Sequence, residues 1–299
     1  MRRIVPPLLF VLTNPTIVGQ IVINGLNLSA VYILVALGFT LLFGIMRVVN
    51  FAHGEFAMLG GFSLYYFYGV FKLPWLFAVG LSVLAVAVPA LILEALVFRW
   101  FYQKMFQSMI GLLGLSLVMT YSSLMVWDAY ERNIPSAFDS ILRIGDVIVP
   151  MDRLVTIAVS LTALAAFYVF MVRTRIGLAM RAAAQDVEIA EIQGIDTRTI
   201  YRWAFFVAIA LAALAGALYG QIYAVSPFMG ERPLFVAFVV VILGGMGSIP
   251  GAALGGVLLG FTESLLGTLY GGSAASYVSF GVVIVLLIFR PWGLLGKPE

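Results

Sequence analysis

The sequence predicts an all-α polytopic membrane protein, and three observations carry that prediction. Hydrophobic residues make up 63% of the 299 and charged residues 10%, against about 25% charged in a typical soluble domain. The apolar residues fall in continuous runs, several near the ~20 residues that carry a helix across a bilayer. The runs do not alternate polar with apolar residues, as a membrane barrel requires. At that span length plus loops, the chain has room for eight or nine transmembrane helices in a single domain over residues 1–299, with broken or re-entrant segments.

In order, the runs are 17–43, 51–70, 75–98, 108–127, 154–172, 203–223, 234–246, 251–269 and 276–289. Asn24 and Asn27 stand where the first span starts, to cap it or to line an external vestibule. Residues 234–246 are only thirteen and end in GGMGSIPG, so a re-entrant segment is the alternative to a crossing there. The longest polar interruption is 173–202, with five arginines. Lysine and arginine concentrate on the cytoplasmic side of short membrane loops. Residues 173–202 therefore face the cytoplasm, together with Arg47, Arg99, Lys104, Arg290 and Lys297. The loop 128–153, with five acids and three arginines, faces outside, as do Lys72 and Arg232. Nine crossings put the N-terminus outside, which Arg2 and Arg3 oppose. The apolar stretch after them is short and broken by Pro6, Pro7 and Pro15, and no cleavable signal peptide is expected.

Two stretches combine apolar surroundings with helix-weakening residues: 44–61, GIMRVVNFAHGEFAMLGG, and 244–256, GGMGSIPGAALGG. Irregular backbone at membrane depth survives only inside protein or beside a water-filled cavity, and transporters built from repeats place paired broken helices at the substrate path. An internal repeat and two glycine-rich packing faces are both open readings. Ionisable groups inside a span are costly and face the bundle interior. The translocation-path candidates are accordingly Asn24, Asn50, His53, Glu55 and Glu263. For Asn50, His53 and Glu55 the competing role is structural, satisfying backbone at a helix start, where Glu55 also suits the helix dipole. Glu263 either lines the path or partners a polar group on another helix. Glu94, a turn from its helix end and near Arg99, reads as structural.

Within 173–202, Gly177 to Gln193 is rich in helix formers and predicts one short surface helix. Met180, Ala183, Val187 and Ala190 form its small apolar stripe. Gly194 is the expected C-cap, and Asp196 the N-cap of the next span. Interfacial membrane helices carry bulky apolar residues and a basic polar face. This segment is alanine-rich, with four acids before Thr197, so docking to a partner protein fits better.

Catalysis is not expected. There is no cysteine and a single histidine, which leaves no thiolate or histidine-rich metal site. There is no phosphate loop, no HExxH and no GxSxG. The net charge of +3 is explained by arginines at helix ends rather than by nucleic-acid binding.

Residues 24–62, NGLNLSAVYILVALGFTLLFGIMRVVNFAHGEFAMLGGF, with RAAAQDVEIAEIQGID over 181–196, the glycine-rich 238–260 and the closing RPWGLLG, resemble the LivH-type permease subunit of branched-chain amino acid ABC importers. The likeness covers nearly the whole chain and is least clear over 128–153. It implies a transmembrane permease of an ATP-driven importer for branched-chain or related amino acids, in a bacterial inner membrane, working by alternating access. It implies a second related permease, two cytoplasmic ATPase subunits that hold ATP and magnesium, and a periplasmic or lipid-anchored binding protein. Residues 173–202 then couple to the ATPase, through Ala183, Asp186, Val187, Glu188, Ala190, Glu191 and Gly194. Family members for urea or short amides, and a stand-alone secondary transporter, are the alternatives.

Overall fold

The computed structural model describes residues 11, 13–290 and 292–296. Arg2, Arg3, Pro6, Pro7, Pro291 and Lys297, which entered the sequence reading, lie outside the described residues. The chain runs α1 (Pro15–Met46), α2 (His53–Leu64) continued by a π-helical turn (Tyr65–Val70), α3 (Trp75–Leu96), α4 (Met105–Trp127), β1 (Ile141–Ile144), β2 (Val147–Pro150), α5 (Met151–Arg173), α6 (Arg175–Gln185), α7 (Val187–Ile192), α8 (Thr197–Tyr223), α9 (Glu231–Gly244), α10 (Ile249–Tyr270) and α11 (Gly272–Phe289). Among the described residues six helices, α1, α3, α4, α5, α8 and α10, are long and apolar enough to cross a membrane.

α1 starts before the predicted 17. The Asn14 side chain accepts from the amides of Thr16 (3.0 Å) and Ile17 (3.4 Å), and Pro15 takes the first helical position, where a missing N–H costs nothing. Asn24 and Asn27 therefore sit well inside the helix and cap nothing. α1 ends at Arg47, which turns left-handed (φ 52°) while its N–H bonds the Phe43 carbonyl. At 32 residues, α1 is roughly 48 Å long. Its most apolar stretch is 83% buried, against 17% for α4, which makes α1 the centre of the bundle and α4 a peripheral helix.

Small residues let the central backbones touch, the usual basis of packing in a medium as apolar as the side chains. A Cβ on Gly216 of α8 would overlap the Ala57 carbonyl of α2. α10 packs along α1, with the Ser29 hydroxyl donating to the Val257 carbonyl at 3.3 Å. α2 and α9 meet where each begins: a Cβ on Gly54 would strike the Gly230 carbonyl, and one on Gly230 the Gly54 carbonyl. The segment between α8 and α9 reaches that junction after Val225 pairs with Arg132, each amide donating to the other's carbonyl at 2.8 Å.

Three expectations change. The short run 234–246 is a helix from Glu231 to Gly244, preceded by the irregular segment 224–230. The stretch 244–256 is not a broken helix but a tight turn: Gly245 and Gly247 take positive φ (102° and 80°), and Ser248 caps α10 through the Gly251 amide at 3.1 Å. The chain end closes this turn, with the Leu294 amide bonding the Leu243 carbonyl at 2.8 Å. The fold also contains a β-hairpin that an all-α reading omits. ILRIGDVIVP pairs Ile141 with Pro150 and Ile144 with Val147 across a Gly145–Asp146 turn in which Gly145 has φ 63°. A Gly-Asp pair between β-branched runs is a hairpin signal, slight beside the hydropathy of the spans.

Replacing Gly216 by leucine should force α2 from α8 and destabilise the protein by about 1–3 kcal/mol, the usual cost of overpacking. Gly80, whose added Cβ meets nothing within 4 Å, is the control: alanine there should leave stability unchanged or raise it by up to about 1 kcal/mol. Thermal unfolding in detergent reads both, and equal behaviour of the two variants would refute the close-packing account.

Candidate functional site

Two groups of polar residues stand apart from the apolar bundle, one near each end. The first centres on Glu263, fourteen residues into α10 and 7% exposed. A carboxylate so placed needs donors on all sides, and three helices supply them. The Tyr32 hydroxyl of α1 donates at 2.5 Å, the Ser276 hydroxyl of α11 at 3.0 Å, and the Arg232 guanidinium of α9 pairs with it directly. Arg232 also lies over the Tyr223 ring of α8, 5.7 Å from its centroid. The sequence reading placed Arg232 in an outside loop. The structure makes it the partner that Glu263 requires, because α9 begins inside the bundle rather than at its rim.

Asn24 and Asn27 join this group. Asn24 bonds the Arg153 guanidinium, and the Asn27 amide donates to the Arg153 carbonyl at 3.2 Å. Together with Arg153, Arg232, Glu263 and Tyr223 they line a cavity of about 270 Å³. A second cavity of about 350 Å³ lies against Arg232 and Tyr223, bounded also by Glu131, Glu231 and the rings of Phe228, Phe235 and Phe280. Arg232 thus borders two cavities. Its side chain is 40% exposed, and among the described residues only Glu263 accepts a hydrogen bond from it.

Asn50, His53 and Glu55 do not reach these cavities. All three are buried at the start of α2. His53 Nε2 lies 3.1 Å from the Val35 carbonyl of α1, and its ring stands edge-on to Phe39. Glu55 accepts from the Ser116 hydroxyl of α4 at 3.1 Å. These contacts tie α2 to α1 and α4, while both polar side-chain atoms of Asn50, Nδ1 of His53 and one Glu55 oxygen are buried without a hydrogen-bond partner among the described residues.

At the other end, residues 173–202 fold as two helices rather than one. Asp186 leaves helical geometry (φ −156°, ψ 116°) and its carboxylate accepts from the Ile189 amide at 3.0 Å, capping α7. Gly194 follows α7 with φ 82°, the left-handed position that ends a helix. Asp196 caps α8 through the amides of Arg198 (3.1 Å) and Thr199 (3.4 Å). Met180, Ala183 and Ala190 are buried and Val187 half-buried, so the expected stripe seats the helix pair on its own bundle. Asp186, Glu188, Glu191 and Gly194 are exposed, and so are two residues outside the predicted set, Ile189 and Ile192, the latter 84% exposed. Ala183, Asp186, Val187 and Glu188 line a polar cavity of about 340 Å³ with Arg47 and Gln103. Glu94, also at this end, pairs with Arg202 (3.5 Å) and accepts from the Tyr102 hydroxyl, while Arg99 lies over the Trp100 ring instead.

A family model described as branched-chain amino acid transport system / permease component matches residues 21–288. The chain is 32% identical to the high-affinity branched-chain amino acid transport system permease protein BraD of Pseudomonas aeruginosa, over 94% of this chain and 96% of the relative. It is 31% identical to the LivH permease protein of the equivalent Escherichia coli system, with the same coverage. It is 28% identical to the LivM permease protein of Escherichia coli, over 56% of this chain and 38% of the relative. No solved structure matches it.

Removing one member of a buried ion pair costs about 3–5 kcal/mol. The exposure of Arg232 puts Glu263→Ala toward the lower end, and Glu263→Gln, which can still accept from Tyr32 and Ser276, should cost less. Thermal unfolding in detergent checks the order, and equal losses would remove the pair as a structural element. For Asp196, the Thr199 hydroxyl, donating at 2.6 Å, is the chief cause of a carboxyl held below its ordinary value. Stability from a depressed carboxyl is present above its unfolded pKa and lost as pH falls through the folded value. Hydrogen-exchange protection of the Arg198 and Thr199 amides should therefore drop on acidification in the wild type and stay level in Asp196→Asn.

Proposed function

This chain belongs to the family of permease components of the branched-chain amino acid transport system, and from that premise we propose that it is the transmembrane permease of an ATP-driven importer for branched-chain amino acids. The relatives BraD and LivH carry that substrate in their names and align along nearly their whole length. The Escherichia coli system has two differently named permease proteins, LivH and LivM, which supports pairing of this chain with a second permease.

The observation that carries the coupling part of the reading is the helix pair α6–α7. Its alanine stripe is spent on seating the pair against the bundle, and its outer face joins Ile189 and Ile192 to Glu188 and Glu191. That is a compact apolar knob with an acidic rim, suited to a groove on a soluble ATPase subunit. Residues 173–202 lie on the cytoplasmic side of a bacterial inner membrane, and the hairpin loop 128–153 faces the binding protein outside. The α2 and α9 helices enter the bundle as half-helices from opposite sides, and α11 crosses. With the six long helices this gives nine membrane segments in one permease domain. ATP and magnesium bind the partner ATPases, and their closure displaces α6–α7. Gly194 and Asp196 pass that motion to α8, and the bundle opens alternately to the two sides. Asn24 and Glu263 border the path, whereas His53 and Glu55 hold α2 in place.

The test is reconstitution with both ATPases, the second permease and the binding protein. Reversing Glu188 and Glu191 to Arg should cut ATP-driven L-leucine uptake by about tenfold or more, because like charges brought together at an interface cost several kcal/mol. It should also weaken retention of the ATPase during purification. Unchanged uptake and retention would remove α6–α7 as the coupling element. Gradient-driven uptake by this chain alone would instead identify a stand-alone secondary transporter.

A further inference from the structure

The cavity of about 350 Å³ at the start of α9 combines three chemistries. It has a guanidinium, Arg232; two carboxylates, Glu131 and Glu231; and a wall of aromatic rings, Phe228, Phe235 and Phe280. Its size is at the small end of the roughly 300–1,000 Å³ range of ligand sites. We infer that this cavity binds a zwitterionic amino acid with an apolar side chain: Arg232 takes the α-carboxylate, Glu231 lies toward the α-ammonium, and the three rings enclose the side chain.

This rests on the importer reading and adds to it a site within the permease itself. Arg232 is suited to the task because its fork of donors matches a carboxylate and only part of it is engaged. One amino group meets Glu263, and among the described residues the guanidinium has no other hydrogen-bond acceptor. Glu263 also accepts from Tyr32 and Ser276, so it keeps two donors while Arg232 is shared with a ligand. Tyr223 beneath the guanidinium keeps it at the boundary between the two cavities. A carboxylate arriving on one side can therefore be shared with, or exchanged for, Glu263 on the other without leaving the arginine unpaired. Phe228 and Phe235 bracket Arg232 in sequence on the segment that enters the bundle, so one short stretch supplies both the charged contact and part of the apolar wall.

The experiment measures L-leucine binding to the assembled permease–ATPase complex without its binding protein, by saturation-transfer NMR. The competitors are isoamylamine, which lacks the carboxylate, and 4-methylpentanoate, which lacks the ammonium. The wild type should bind L-leucine saturably and at least about tenfold better than either analogue, the margin expected for loss of one charged hydrogen-bonded contact. Arg232→Gln should erase the preference over isoamylamine, and Glu231→Gln the preference over 4-methylpentanoate. Arg232→Gln leaves Glu263 without its cation, so the double variant Arg232→Gln/Glu263→Gln restores a neutral interior. It should assemble as a complex yet still fail to prefer L-leucine over isoamylamine. Recovery of that preference in the double variant would make Arg232 merely structural and overturn the inference. So would wild-type binding of isoamylamine equal to that of L-leucine. ATP-driven L-leucine uptake in the full system separates the two levels. Uptake by the wild type with no change of KM in Arg232→Gln overturns the site alone, whereas no uptake by the wild type overturns the importer reading as well.

Discussion

The close approach of helix backbones at glycine is the constraint on which the rest of this structure depends. Gly216 against Ala57 brings α8 onto α2, and Gly54 against Gly230 brings the starts of α2 and α9 together. Water is not available in the interior of a membrane bundle to satisfy backbone groups. A helix can begin there only if protein surrounds its first turn, and side chains larger than glycine would hold the neighbours too far away. Because α9 begins inside, Arg232 stands beside Glu263 rather than at the rim. Because α2 begins inside, His53 and Glu55 find partners on α1 and α4.

Charge within the bundle follows the same economy. The two ion pairs among the described residues, Arg232–Glu263 and Arg202–Glu94, each join a buried carboxylate to a half-exposed arginine. Each carboxylate also accepts from a tyrosine hydroxyl, Tyr32 or Tyr102. The hydroxyl and the arginine together compensate the lost hydration of the carboxylate, while the arginine keeps part of its own. Such a pair holds helices in register and still leaves a cation facing a cavity. At the Glu263 end that cavity is lined by aromatic rings and acids. At the Glu94 end Arg202 borders an apolar cleft with Leu91, Trp203 and Phe206.

Much of this was legible in the sequence where the cause is local. The long apolar runs became helices near the expected bounds, since a continuous apolar stretch in lipid has no other way to satisfy its backbone. Gly194 and Asp196 took the terminating and capping positions expected of them, because capping depends on a few neighbouring amides. Met180, Ala183 and Ala190 are buried as the stripe implied, although the break at Asp186 divides them between two helices. The hairpin was legible too, in Gly145–Asp146, although its signal is slight beside the hydropathy of the spans. The single helix expected over 177–193 failed at Asp186, whose side chain competes for the Ile189 amide and so starts a new helix.

The sequence by itself determined the class of molecule, the rough positions of its apolar helices, the ends marked by Gly194 and Asp196, and its family, because each of these depends on composition or on residues near one another in the chain. Only the tertiary structure decided which polar groups act together. Glu263 and Arg232 are 31 residues apart, Glu263 and Tyr32 are 231 apart, and Arg153 and Asn24 are 129 apart. No periodicity links such positions. They meet because glycine contacts elsewhere fix how deep α9 starts and how closely α1, α8 and α10 approach, and a buried carboxylate then takes the donors that this packing brings within reach.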